Sequence, residues 1–147
     1  MNILAICTGT LVSIETVPDV VFSERIMGDG MAFIPQSNRI VAPVKGKIKH
    51  IYPTGHAVSI ITKQGLEILV HFGLGSYNIP YGIIEPNVKV NQEIEAGAHL
   101  LTINLDYFKM RNINTITSVV FLGIDNIVHV KTSKDVLEGE ILLELDD

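Results

Sequence analysis

Two histidines of this 147-residue chain stand where an imidazole could do chemistry, with a threonine beside one of them. His71 closes the apolar run Leu66-Glu67-Ile68-Leu69-Val70 and is followed by Phe72-Gly73. Gly73 removes a side chain next to the ring, so another backbone or a ligand can approach closely. His56 lies on the far side of the turn Lys63-Gln64-Gly65, which predicts a hairpin folding 57–62 back on 66–71. A two-residue loop at Gln64-Gly65 pairs Lys63 with Leu66 and sets Val58 opposite His71. His56 is then the diagonal neighbour of His71 on the same face, with Cα atoms about 7–8 Å apart. A three-residue loop shifts the register by one and separates the rings unless a bulge intervenes.

Two facing imidazoles serve either metal ligation or phosphoryl transfer. A stable zinc site wants three or four ligands, yet the chain has one cysteine, Cys7, and no H-x-H or H-E-x-x-H. Zinc on His56 and His71 would be adventitious; no metal and no cofactor is required. In phosphoryl chemistry one ring nitrogen is the nucleophile and the other imidazole donates a hydrogen bond to the transferred group. An unprotonated nitrogen is available near neutral pH, because the ordinary histidine pKa is about 6.5. Thr54, two residues before His56, can bond a ring nitrogen and fix its tautomer. His50, His99 and His129 read as surface or strand histidines, Cys7 as a small hydrophobe, and Glu93 and Glu95 as a solvated turn.

The elements that must hold these residues are strands. Ile (21) and Val (15) far outnumber Ala (6), and branched side chains suit a pleated sheet. Short apolar runs alternate with turn clusters, predicting strands near 9–14, 31–34, 39–42, 46–52, 57–62, 66–71, 99–104, 117–121, 127–131 and 140–145. Asp19 reads as the N-cap of one helical turn, and Asp106 as the cap of a second over 107–111. The stretches 94–103 and 136–145 share the pattern apolar, x, x, Gly, x, x, Leu, Leu, x, apolar. A glycine turn feeding a strand also arises by chance; taken at face value, the repeat predicts a compact β barrel or sandwich of two related halves. The expected unit is one domain over 1–147, mostly β, an antiparallel sandwich or barrel with short helical turns.

Charge narrows the partners. The net charge of -5, with no basic cluster, argues against nucleic acid. Only 18% of residues are charged, against about 25% typically, which suits apolar surface that docks on other proteins. No run approaches the length of a membrane helix and no targeting signal stands at the start, so the expected setting is cytoplasmic, without membrane insertion.

Ordered motifs give a more specific reading. Pro18-Asp19-x-x-Phe22, Gly28-Asp29-Gly30-Met31-Ala32, Val41-Ala42-Pro43-Val44-x-Gly46-x-Ile48, Thr54-x-His56-Ala57 and Val70-His71-Phe72-Gly73 follow one another in the chain. In these the sequence resembles the glucose-type IIA component of the bacterial phosphoenolpyruvate-dependent sugar phosphotransferase system, over roughly residues 9 to 145. The resemblance implies a duplicated-hybrid-motif-like β sandwich. It implies that His71 is phosphorylated by the phosphocarrier HPr, that His56 stabilises the phosphoryl group, and that Thr54 bonds His56. Onward transfer goes to a cysteine on a IIB domain, and Cys7 is not that thiol. The implied docking surface comprises Val21, Phe22, Met27, Val70 and Phe72, with Asp29 as a rim acid. Where the family usually has Asp-Thr, this chain has Gly75-Ser76, which removes a rim carboxylate. That departure motivates a second reading, a regulatory protein that keeps the fold but exchanges phosphate weakly. A zinc peptidase on a related β fold is disfavoured by the missing H-x-H.

Overall fold

The computed structural model describes residues 1–75 and 78–146. Its strands in chain order are β1 (Asn2–Leu4), β2 (Gly9–Ser13), β3 (Gly30–Pro35), β4 (Arg39–Val41), β5 (Gly46–Ile51), β6 (Ala57–Ile61) and β7 (Glu67–His71). There follow β8 (Ile84–Pro86), β9 (Glu93–Ile94), β10 (His99–Ile103), β11 (Thr117–Phe121), β12 (Lys134–Val136) and β13 (Ile141–Glu144). The helices are α1 (Val20–Ser23) and α2 (Leu105–Met110), with a 3-10 turn at Ile14–Thr16. An eight-stranded antiparallel sheet runs β12-β2-β3-β11-β7-β6-β5-β9, beside smaller sheets β4-β10-β8 and β1-β13. The large sheet ends at β12 and β9 without closing, so of the two expected architectures the barrel is not formed.

Both faces of the central strands are covered, which is why they read as unbroken apolar runs rather than alternating ones. Met31, Phe33, Val58, Ile60, Ile68, Val70, Val119 and Phe121 point into the main core, shared with the small sheets and α2. Ala32, Ala57, Leu69 and Val120 point the other way, under a cap made by Ile14, Val17 and Phe22. His71 shares this second face, two residues along the pleat from Leu69.

The large sheet reads the same from either end. Gly9 pairs with Val136 as Gly46 pairs with Ile94. At the centre Val119 pairs with Val70, flanked by Ser118 with His71 and Val120 with Leu69. The small sheets repeat the relation: Leu4–Ile141 and Ile3–Leu143 flank a bulge, as do Val41–His99 and Ile40–Leu101. The two glycine turns are clamped alike, Gly97 N–H donating to Ala42 O at 2.8 Å and Gly139 N–H to Ala5 O at 3.0 Å. The repeat seen in the sequence is therefore structural. In this pseudo-two-fold His71 corresponds to Val120. His56 corresponds to Asp29, since Phe72 N–H donates to His56 O at 2.7 Å and Phe121 N–H to Asp29 O at 2.8 Å.

Two expected elements differ. Residues 127–131 form no strand, because the Ile127 and Val128 amides are taken by the Asp29 carboxylate, and β12 comes later. The second helix is capped by Asn104 rather than Asp106, its side chain accepting from Tyr107 N–H.

Candidate active site

The turn between β6 and β7 holds three residues, not two. Thr62 N–H donates to Leu66 O at 2.8 Å, and Gly65 takes a left-handed φ of 91° that suits glycine. Ala57, rather than Val58, therefore stands opposite His71. That register was expected to part the two imidazoles. They nevertheless meet, with ring centroids 5.1 Å apart and planes at 82°. His56 lies just before β6, in a turn where Gly55 has φ 75°, so strand alternation does not dictate where its ring goes.

Thr54 Oγ1 hydrogen-bonds His56 Nδ1, and Tyr52 makes an edge contact with the same ring at 5.7 Å. His71 Nδ1 is buried without a hydrogen-bond partner among the described residues. With Nδ1 sealed, Nε2 is the nitrogen left to meet another molecule. Phe22 covers the ring from α1, its centroid 4.9 Å away. Burial, reinforced by the neighbouring His56, pushes the His71 pKa down to about 4. Burial also lowers the His56 pKa. Both rings are neutral at pH 7, and the pair offers a lone pair on one imidazole and an N–H on the other. Among the described residues no cluster of three or more His, Cys, Asp or Glu side chains is placed to hold a metal.

The family model of the phosphoenolpyruvate-dependent sugar phosphotransferase system, EIIA 1, matches residues 1–127. The chain belongs to this family. It is 38% identical to the glucose-specific EIIA component of Buchnera aphidicola subsp. Acyrthosiphon pisum, over 90% of this chain and 82% of that protein. It is 41% identical to the glucoside-specific EIICBA component of Staphylococcus carnosus, over 96% of this chain but only 20% of that longer protein. The solved glucose permease IIA from Mycoplasma capricolum superposes with a TM-score of 0.87 at 34% identity, covering 97% of this chain and 93% of that one.

Within this EIIA frame several expected docking residues need correction. Val70 and Phe72 are fully buried: Val70 points into the core, and Phe72 packs edge-on against Phe108 at 5.0 Å. Asp29 is no rim acid, being 1% exposed and bonded to Arg25, Gly30, Ile127 and Val128. Phe22 is buried against His71, Met27 is half-buried beside it, and Val21 is exposed. Gly75 is exposed at φ 69°, while Ser76 lies outside the described residues.

Sequence reasoning missed Val20 and Ile26, both exposed beside Val21 around α1. It also took Asp19 only as a cap. Asp19 does cap α1, accepting from Val21 N–H at 2.9 Å, but its charge also raises the His71 pKa. The Pro18-Asp19-x-x-Phe22 motif held that signal, since a cap and a packed aromatic three residues on must sit together. His50 and His129 are exposed, and His99 Nε2 lies within bonding distance of Thr102 Oγ1 and Leu101 O. Cys7 is buried, and burial pushes its thiol up to about 12. No helix is long and apolar enough to cross a membrane among the described residues.

Proposed function

We propose that this chain is a phosphocarrier of a sugar phosphotransferase system, taking a phosphoryl group from phospho-HPr on His71 Nε2 and giving it to a cysteine of a IIB domain. The observation that carries the reading is the perpendicular imidazole pair in which His71 Nδ1 is buried without a partner among the described residues, which leaves Nε2 as the nitrogen for transfer. Neutral His71, its proton on Nδ1, attacks phosphorus in line with the leaving nitrogen of the HPr phosphohistidine. One N–P bond forms as the other breaks, and the donor imidazole departs with its electron pair. Thr54 donating to His56 Nδ1 leaves the proton of His56 on Nε2, from where it meets the phosphoryl oxygens. In the second step a thiolate attacks the same phosphorus and His71 regains its lone pair. Val20, Val21 and Ile26 offer apolar contact around α1, and Asp19 offers a carboxylate for a basic partner. Burying that surface excludes water, so transfer outcompetes hydrolysis.

The test is labelling with 32P-phospho-HPr, followed by a chase with a IIB domain. The wild type is expected to take up label and lose it to IIB. His71→Ala should take up none, and His56→Ala should be labelled but discharge poorly. Full labelling of His71→Ala protein would overturn the assignment. A wild type that labels slowly and fails to discharge would favour the regulatory reading motivated by Gly75.

A further inference from the structure

Helix α1 has only four residues, and a helix this short does not persist on its own strength. Yet it carries Phe22, the ring that covers His71 at 4.9 Å. Its C-terminal end is fixed by an unusual residue. Arg25 adopts φ 55°, uncommon outside glycine, just after its amide donates to Phe22 O at 3.0 Å. From there its side chain turns inward, with Nε donating to Asp29 Oδ1 at 2.8 Å and Nη1 to Glu15 Oε1 at 3.0 Å. Asp29 is itself immobilised. Gly30 N–H donates to Oδ1 at 2.8 Å, and the Ile127 and Val128 amides each donate to Oδ2 at 2.7 Å. Its main chain also bonds Phe121 and Ile124, at the edge of β11.

We propose that Arg25 and Asp29 are positioning residues of the phosphoryl site: their ion pair ties the end of α1 to the central sheet and so keeps Phe22 packed on His71. The role rests on the reading of His71 as the phosphoryl acceptor. Neither residue touches the reacting atoms; both act through Phe22. Among the described residues, the charged or titratable groups that act on His71 are His56, from the turn before β6, and Asp19, from the cap of α1. β11 presents uncharged Ser118 across the pair. Releasing α1 admits water to the ring, which then protonates more readily. Moving Asp19 away acts in the opposite sense, but its influence is smaller than that of burial. Water that reaches the ring also reaches a phosphoryl group on it.

The experiment compares wild type, Arg25→Gln, Arg25→Lys and Phe22→Ala by two readouts: the His71 ring titration followed by NMR, and the hydrolysis half-life of 32P on His71. Arg25→Gln and Phe22→Ala are each expected to raise the His71 midpoint by about one pH unit, roughly tenfold more imidazolium at a given pH. Both should shorten the half-life several-fold, with Arg25→Lys, which keeps a cation, in between. An Arg25→Gln protein with native circular dichroism and an unchanged His71 midpoint would overturn the proposal. If Arg25→Gln fails to fold, Arg25→Met, which keeps the apolar stem but not the cation, decides by the same criterion. Failure of the phosphocarrier reading shows separately, as a wild type that HPr never labels, and leaves the titration test intact.

Discussion

Burial of His71 has consequences that a titration can read. An exposed histidine loses half its nucleophile near pH 6.5, but a His71 pKa near 4 keeps the lone pair available well below that. Phosphoryl uptake from HPr is therefore expected to stay level between pH 8 and about pH 5.5, once the donor's own dependence is measured against a control acceptor. Stability carries the same signature with a definite sign. The folded pKa lies below the unfolded one, so the contribution is complete above about pH 6.5 and declines as pH falls toward 4. Urea titrations should show this decline in wild type and a flatter profile in His71→Asn. Thr54 acts on a finer scale. Thr54→Val removes the partner of His56 Nδ1 and frees its tautomer. Losing about 1 kcal/mol of hydrogen bonding corresponds to a roughly five- to tenfold slower discharge to IIB, with uptake little changed.

The strands that position the site depend on close backbone approach at chosen glycines. A Cβ at Gly30 would sit 2.1 Å from Val119 O, inside the β3–β11 ladder that adjoins β7. Gly30→Ala should therefore cost at least about 2 kcal/mol, since two buried strands must part. Gly65→Ala meets open space and incurs only the left-handed conformation, about 1 kcal/mol; thermal melts of the two variants should rank in that order. The long strands were legible in the sequence because runs such as Ala57–Ile61 and Glu67–His71 are apolar and bounded by turns. Strands of two or three residues, such as β8 and β9, leave no periodic trace. The hairpin register was off by one, because Lys63-Gln64-Gly65 is compatible with two loop lengths that hydropathy alone does not separate. His56 and His71 met regardless, since His56 escapes the pleat. Asp29 was misplaced at the rim because nothing in Gly28-Asp29-Gly30 reveals that distant Ile127 and Val128 supply its partners. Such long-range satisfaction of a carboxylate leaves no local pattern.

Across the whole molecule, the internal two-fold makes a quantitative forecast. Gly97 and Gly139 have φ of 89° and 83°, equivalent clamps, and no close neighbour for a Cβ. Alanine at either position should destabilise by about 1 kcal/mol, and by nearly the same amount at both, as measured by chemical denaturation. Unequal costs would mean that the two turns differ energetically despite their matching bonds. The same symmetry sets a count. Strictly kept, it would have furnished two imidazole pairs, one on each side of the axis between β7 and β11. Val120 and Asp29 occupy the second place, one as core and the other as a buried anchor. If His71 is the phosphoryl acceptor as proposed, the duplicated sheet has a single such place, and intact mass spectrometry after saturation with phospho-HPr should find one phosphate per chain and no second increment.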